Sequence, residues 1–307
     1  MVLSYRVPDG ISRKLSGVLS SEMELSSTMI RRLKRVQGIF VDGVPRYTNY
    51  VLSGGETVTV DLSLAEPPCD IVPQDGEVNI IFENDGILAV NKLPGMLTHP
   101  SRAQYTDTLA NFVSGYLERS CGDMRCHPVN RLDRGTSGIV LFSKNSHYMD
   151  RAISSLKAEN AYKKYLAVVL GAFDEPDGTI DLPIFRPDAR DIKRIVDERG
   201  QHAVTHYHTV AVSEICDVRV SLLSLVLETG RTHQIRVHCS HLGHPILGDR
   251  LYFSEGSASL SQSLGFCDQL LHASELGFTD PVSGNFLALH ADITRSDMLS
   301  IINKAFK

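Results

Sequence analysis

The chain has 307 residues, 42% of them hydrophobic and 22% charged, and a formal net charge of −5. That is enough polypeptide for about two domains with a sizeable core, and too ordinary a balance for a disordered or fibrous chain. The acidic balance excludes a wholly basic nucleic-acid coat, so any polyanion partner must be met by local positive patches.

No apolar run approaches the ~20 residues that a membrane helix needs. The N-terminus lacks a basic segment followed by an apolar core and does not read as a secretory leader. Six cysteines are scattered without a Cys-x-x-Cys pair, which suits reduced thiols and a cytoplasmic location.

Residues 1–65 read as a small N-terminal module. Ile11, Leu15, Val18 and Leu19 follow helical spacing; Ile30 and Leu33 repeat it after the caps Ser26 and Ser27. Arg31, Lys34 and Arg35 fall one turn apart on the face that Ile30 and Leu33 leave to solvent, and Gly38 is placed to stop this helix. Ile39–Val41, an Asp42-Gly43 turn and a closing strand over 57–62 follow. A basic helix face beside a short sheet suits contact with a phosphate backbone, although a solvated face explains the charges equally well. Pro67, Pro68, Pro73 and Gly76 mark 66–76 as a linker.

From 77 to 307 the pattern is α+β, with a mixed, largely antiparallel sheet. Strands at 78–82 and 87–90 flank a Glu83-Asn84-Asp85-Gly86 turn. Leu109, Phe112, Val113, Tyr116 and Leu117 mark a helix opened by Thr106 or Asp107. Further strands are predicted at 138–143, 162–170, 193–197, 202–212 and 217–228, with a helix near 146–158. No repeat and no phosphate-binding glycine loop occurs, so neither a dinucleotide nor a nucleoside triphosphate is implied.

Three stretches carry chemistry. In Arg131-Leu132-Asp133-Arg134-Gly135-Thr136-Ser137-Gly138, a carboxylate sits between two guanidinium groups, which favour its ionised form, on a tight loop before an apolar strand. Asp133 is therefore a candidate nucleophile. In Lys164-Tyr165-Leu166, a strand tyrosine offers a stacking surface and a hydroxyl, or is simply half-buried. In the stretch from Gly230 to His238, a glycine turn leads into a short helix. There Arg236 is the candidate to reach Asp133 as a bidentate partner, while Arg231 and His233 are placed for phosphates. His238, His241 and His244 invite a metal reading, but they lack the acidic partner and paired cysteines of such sites and read better as packing histidines.

Taken in order, Asn91-Lys92-Leu93-Pro94-Gly95-Met96 with His99-Pro100, the Asp133 loop, Lys164-Tyr165, the Gly230 stretch and Leu271-His272-Ala273 resemble the RluA/RluD-type family of RNA pseudouridine synthases over about residues 77–295. The N-terminal module is similar to the S-four-like RNA-binding domain that often precedes this catalytic domain. The resemblance implies the pseudouridine synthase fold, isomerisation of uridine in RNA (ribosomal first, transfer RNA as the alternative) and no metal or organic cofactor. It implies Asp133 acting at the anomeric carbon, Tyr165 stacking on uracil and joining in proton transfer, and Arg236 paired with Asp133. Arg31, Lys34, Arg35, Arg131, Arg134, Arg231, His233 and Gln234 are then the expected RNA-binding set, on a monomeric protein. Two positions depart from the family pattern: Asn130 stands where a histidine is common, as does Asp280 before Pro281. The competing readings are a non-catalytic RNA-binding or ribosome-assembly protein and an N-glycosidase that releases free uracil.

Overall fold

The computed structural model of the chain describes every residue except Pro68, Ala189 and Lys307. Pro68, one of the prolines of the predicted linker, thus lies outside the described residues. The chain separates into two compact units: Met1–Asp70 with Asn145–Arg151, and the remaining residues from Ile71 onward.

In the first unit, strands Val2–Arg6, Thr57–Asp61, Ile39–Val41 and Val44–Pro45 form an antiparallel sheet in that order. Helices Leu15–Ser21 and Ser27–Arg35 bury Leu15, Val18, Leu19, Met29 and Leu33 in the same core as Ile39, Val41, Val58 and Val60. Ser26 caps the second helix by accepting from the Met29 amide at 3.2 Å. Two expectations are corrected here. Ile11 lies outside the first helix and is exposed, because Arg13–Lys14 pairs as a strand with Val51–Leu52. Gly38 is not the left-handed residue that ends the second helix; Gln37 is (φ 52°), and the Gly38 amide donates back to the Leu33 carbonyl. The strand Val2–Arg6 was not legible, since its residues are only half covered.

The second unit holds a sheet of ten strands among the described residues. Its main path runs Asp177–Asp181, Val204–Ile215, Val218–Leu227, Tyr162–Leu170, Leu271–Thr279, Ser137–Ser143, Ile87–Lys92, Ile80–Glu83. Phe286–His290 also pairs with Leu271–Thr279, and His127–Pro128 with Ser137–Ser143. Every pairing is antiparallel except that of Ser137–Ser143 with Leu271–Thr279, which is parallel. This is the mixed, largely antiparallel α+β sheet expected.

That one parallel junction positions the site. Ala273 is flanked by Gly138 on one side and by Tyr165 on the other, so the loop entering Gly138 and the strand carrying Tyr165 meet across a single strand. A β-carbon at Gly138 (φ 110°) would collide with the Ala273 backbone, so only glycine allows this approach. The register shifts between Lys164 and Tyr165, where Ser274 is the extra residue opposite and its hydroxyl donates to the Lys164 carbonyl.

Helix Leu109–Cys121 is capped by Thr108, whose amide donates to the Asn111 side chain, rather than by Thr106 or Asp107. Asp107 sits in the left-handed region (φ 60°) just before it. The second half of the predicted linker is packed: Ile71 is buried, the Asn111 amide group donates to the Val72 carbonyl, and Gln74 is bonded to Asn111 and Asp107. Among the described residues, no helix is long and apolar enough to cross a membrane.

Candidate active site

The Asp133 loop is anchored carbonyl by carbonyl. The Thr98 hydroxyl donates to Leu132 O (3.0 Å), the Thr136 amide to Asp133 O (3.1 Å), Lys92 Nζ to Arg134 O (3.0 Å) and Arg295 Nη1 to Gly135 O (3.2 Å). These donors come from three parts of the chain: the stretch from Lys92 to Thr98, the loop itself and Arg295. Lys92 is fully buried; its ammonium also donates to the Leu93 and Met96 carbonyls at 2.9 and 2.8 Å. Burial drives its pKa down to about 7, opposed by the Asp133 and Asp268 carboxylates.

The Asp133 side chain emerges from this frame 28% exposed, and its Oδ2 accepts from Arg236 Nη1 at 2.8 Å. Arg236 holds Asp133 with that one bond, not the bidentate pair expected. Its two-pronged contact goes instead to Asp249, with Nε to Oδ2 at 2.6 Å and Nη2 to Oδ1 at 2.9 Å. The Asp249 carboxylate is 0% exposed, and its Oδ1 also accepts from the Leu251 and Tyr252 amides. Burial opposes the charge on Arg236, but Asp249 and Asp133 outweigh it and hold the guanidinium above its ordinary pKa.

These groups face a cleft lined by Arg131, Asp133, Tyr165, Arg231, His233 and Arg236, with Leu227, Ile235 and Leu271 as apolar walls. Burial, then the Asp133 charge, push the Tyr165 hydroxyl pKa well above its usual value, so it is a neutral donor at physiological pH. His233 Nε2 lies 3.8 Å from Asp133 Oδ2. The cleft therefore joins an aromatic surface, apolar walls, one carboxylate and fixed cations. Such a set can hold a planar base against an aromatic ring while a carboxylate acts at the attached sugar.

The family match decides the identity: RNA pseudouridylate synthase matches residues 86–241. The chain belongs to this family. An uncharacterized RNA pseudouridine synthase of Bacillus subtilis is 34% identical to it, over 95% of this chain and 93% of that protein. A ribosomal large subunit pseudouridine synthase D of Xanthomonas campestris is also 34% identical, over 94% of this chain and 88% of its own. The solved human RNA pseudouridylate synthase domain containing 1 shares the fold, with TM-score 0.57 and 24% identity over 74% of this chain and 86% of that one.

The residues expected to meet RNA are placed differently in the synthase. Arg131 and Arg231 line the cleft; Arg134 is exposed and its guanidinium bonds Gln104. His233 lines the cleft beside Asp133. Gln234 also lines the cleft, but its side chain is committed to the protein. It is buried, accepts from the Thr229 hydroxyl and the Arg231 amide, and donates to Val204 O and the Thr205 hydroxyl, so its side chain braces the helix start. Arg31, Lys34 and Arg35 are exposed on their helix in the first unit.

The two departures from the family pattern also find local work. Asn130 accepts from the Leu141 amide at 2.7 Å and donates to the Ile139 carbonyl, bracing the strand after the Asp133 loop. Asp280 is buried and caps the turn to Phe286–His290, accepting from the Val282 and Ser283 amides and from Asn84. The helix histidines diverge: His238 bonds the Thr205 hydroxyl and Leu182 O, while His244 bonds Leu170 O and stacks on Phe173.

Asp249, Tyr252, Lys92 and Arg295 escaped the sequence reading as site residues. The signal for Asp249 was there: a carboxylate straight after Ile246-Leu247-Gly248 is headed for burial, and a buried charge needs a partner.

Proposed function

We propose that this synthase isomerises uridine in large-subunit ribosomal RNA, with Asp133 as the group that acts at the anomeric carbon. The observation that carries the reading is the Asp133–Arg236 ion pair facing Tyr165 across one cleft. The target nucleotide leaves its helix and its base stacks on Tyr165, replacing the neighbours it has lost. The C1′–N1 bond then breaks through an oxocarbenium-like state that the neighbouring carboxylate stabilises, by addition or by an assisted elimination. The base turns, C5 bonds to C1′, and the proton lost from C5 is balanced by one gained at N1. Tyr165, neutral and half-buried, takes part in that exchange. Arg236, fixed by Asp249, keeps the carboxylate aimed. Leu227, Ile235 and Leu271 limit water around the detached base, which separates isomerisation from hydrolysis.

The first unit is read as the S-four-like RNA-binding domain, residues 1–65, with Arg31, Lys34 and Arg35 toward phosphates. The protein acts as a monomer in the cytoplasm. Ribosomal RNA is favoured over transfer RNA by the 34% identity to a ribosomal large subunit synthase across nearly the whole chain.

Asp133→Ala tests the core of this. Isomerisation should fall at least ~10³-fold while RNA affinity stays within about twofold. Product is scored as mass-neutral, carbodiimide-reactive uridine, which distinguishes it from an abasic product. Turnover within tenfold of wild type would remove Asp133 from the chemistry. Mapping pseudouridine in ribosomal and transfer RNA from cells with and without the protein then assigns the substrate.

A further inference from the structure

The mechanism above leaves one group in the cleft without a task. His233 begins helix Gln234–His241 from a left-handed backbone (φ 59°), which turns its ring inward beside Asp133. One ring nitrogen, Nε2, faces Asp133 Oδ2 at 3.8 Å; the other, Nδ1, is 2.9 Å from the Tyr252 hydroxyl. The rings of His233 and Tyr252 meet edge to face, and the Arg236 guanidinium lies over the Tyr252 ring at 5.1 Å.

The direction of the Tyr252–His233 bond follows from counting donors. The Tyr252 oxygen already accepts from the Arg194 amide at 2.7 Å, and Tyr252 is only 3% exposed. Its own proton needs an acceptor, since a buried donor left unpaired is costly. The neighbour offering a lone pair is His233 Nδ1. The opposite arrangement, Nδ1–H donating to Tyr252, fails twice: it strands the hydroxyl proton and turns the Nε2 lone pair toward the Asp133 carboxylate. We propose that Tyr252 is a positioning residue whose hydroxyl holds His233 as the neutral Nε2–H tautomer, with that N–H directed at Asp133.

One turn thereby serves both groups that flank Asp133. Asp249 accepts from the Tyr252 amide and grips Arg236, while the Tyr252 hydroxyl sets His233. The charged groups facing His233 are Asp133 from the loop, Arg236 from its own helix, Asp249 from the following turn and Arg194 from the loop ahead of Ile195–Val196. Burial lowers the imidazole pKa; Arg236 and Arg194 add to that, while Asp133 and Asp249 oppose it. A hydrogen bond to the unprotonated nitrogen also favours the neutral form. The neutral imidazole can donate to Asp133 or to a ribose oxygen seated between them. The imidazolium would instead form an ion pair with the carboxylate and blunt it.

The inference rests on Asp133 being the reactive carboxylate, and the test separates the two. The full chain is labelled with ¹⁵N-histidine, His233 is assigned by comparison with His233→Gln, and ring nitrogens are read from long-range ¹H–¹⁵N correlations in the substrate-free protein at pH 7.5. The expected result is a protonated Nε2 and an unprotonated Nδ1. Finding Nδ1–H or the imidazolium overturns the proposal, whatever Asp133 does. In Tyr252→Phe the His233 pKa should rise by roughly half a unit to one unit, the worth of one hydrogen bond to the neutral form. The acid limb of kcat against pH should move up by the same amount, so that kcat at pH 7 falls by up to about threefold with KM within twofold. A His233 titration and kcat profile unmoved by Tyr252→Phe would overturn it as well. Should that variant not fold, the wild-type tautomer assignment alone decides.

Discussion

At the scale of single residues, the site turns on how a buried guanidinium is kept in place. Arg236 spends three of its donors on two carboxylates, and the one that fixes it is not the one it serves. Asp249 accepts both Nε and Nη2 from a position without solvent, leaving Nη1 for Asp133. A single bond from a loosely held arginine would let Asp133 wander; the planar fork removes that freedom. Asp249→Asn keeps the shape and removes the charge, so Arg236 stays buried with its main compensation gone. The expected outcome is destabilisation of about 3 kcal/mol, as for a broken buried pair, together with a kcat loss on the order of 10²-fold. Urea unfolding and single-turnover rates check the two numbers separately. A variant of wild-type stability would mean that Asp133 alone sustains Arg236. Asp133 was legible from the arginines on either side of it in a tight loop, and Arg236 as the cation placed to reach that carboxylate. The sequence could not say which carboxylate takes the fork, since Asp133 and Asp249 are equally charged and only the fold sets their angles.

At the scale of elements, the parallel junction matters more than any strand in it. The loop bearing Asp133 ends where Gly138 pairs with Ala273, and Tyr165 pairs with the same residue from the far side. Gly138→Ala places a methyl into the Ala273 backbone at a φ that L-residues avoid. Destabilisation of about 2–4 kcal/mol is expected, with a loss of kcat beyond what stability explains, because the junction that spaces Asp133 from Tyr165 must open. Denaturant titration beside activity below the transition measures both; a change under about 0.5 kcal/mol would show that the sheet absorbs the methyl. This junction was hidden in the sequence. Strands such as 162–170 and 217–228 announce themselves by runs of valine and leucine, whereas Leu271–Thr279 carries His272, Ser274, Glu275 and Gly277 and a bulge that breaks its alternation. Helix Glu255–Ser263 went unseen for a similar reason: four serines and a glycine give little apolar period, and its cap is a serine pair, Ser254 with Ser257. Hairpins were easier, because Asp42-Gly43 names its own turn through the positive φ at both positions.

At the scale of the whole molecule, a chain of net charge −5 from a family that acts on RNA needs its cations gathered locally. In the second unit Arg131 and Arg231 line the cleft. In the first, helix Ser27–Arg35 buries Met29 and Leu33 and leaves Arg31, Lys34 and Arg35 exposed. A solvated face and a phosphate-binding face look alike in sequence, and they look alike in an RNA-free fold too. Salt distinguishes them, because each phosphate neutralised releases counterions and steepens the dependence of affinity on ionic strength. Replacing Arg31, Lys34 and Arg35 together by glutamate should lower RNA affinity at physiological salt by at least tenfold. It should also flatten the slope of log K against log salt by about 2 to 3, one increment per lost phosphate contact. The isomerisation rate at saturating RNA should hold within about twofold, since none of the three lies in the unit that carries Asp133. Filter binding across a salt series measures the slope, and single-turnover kinetics at high enzyme concentration measure the rate. An unchanged slope would return this helix to an ordinary solvated surface and leave RNA capture to the arginines around the cleft.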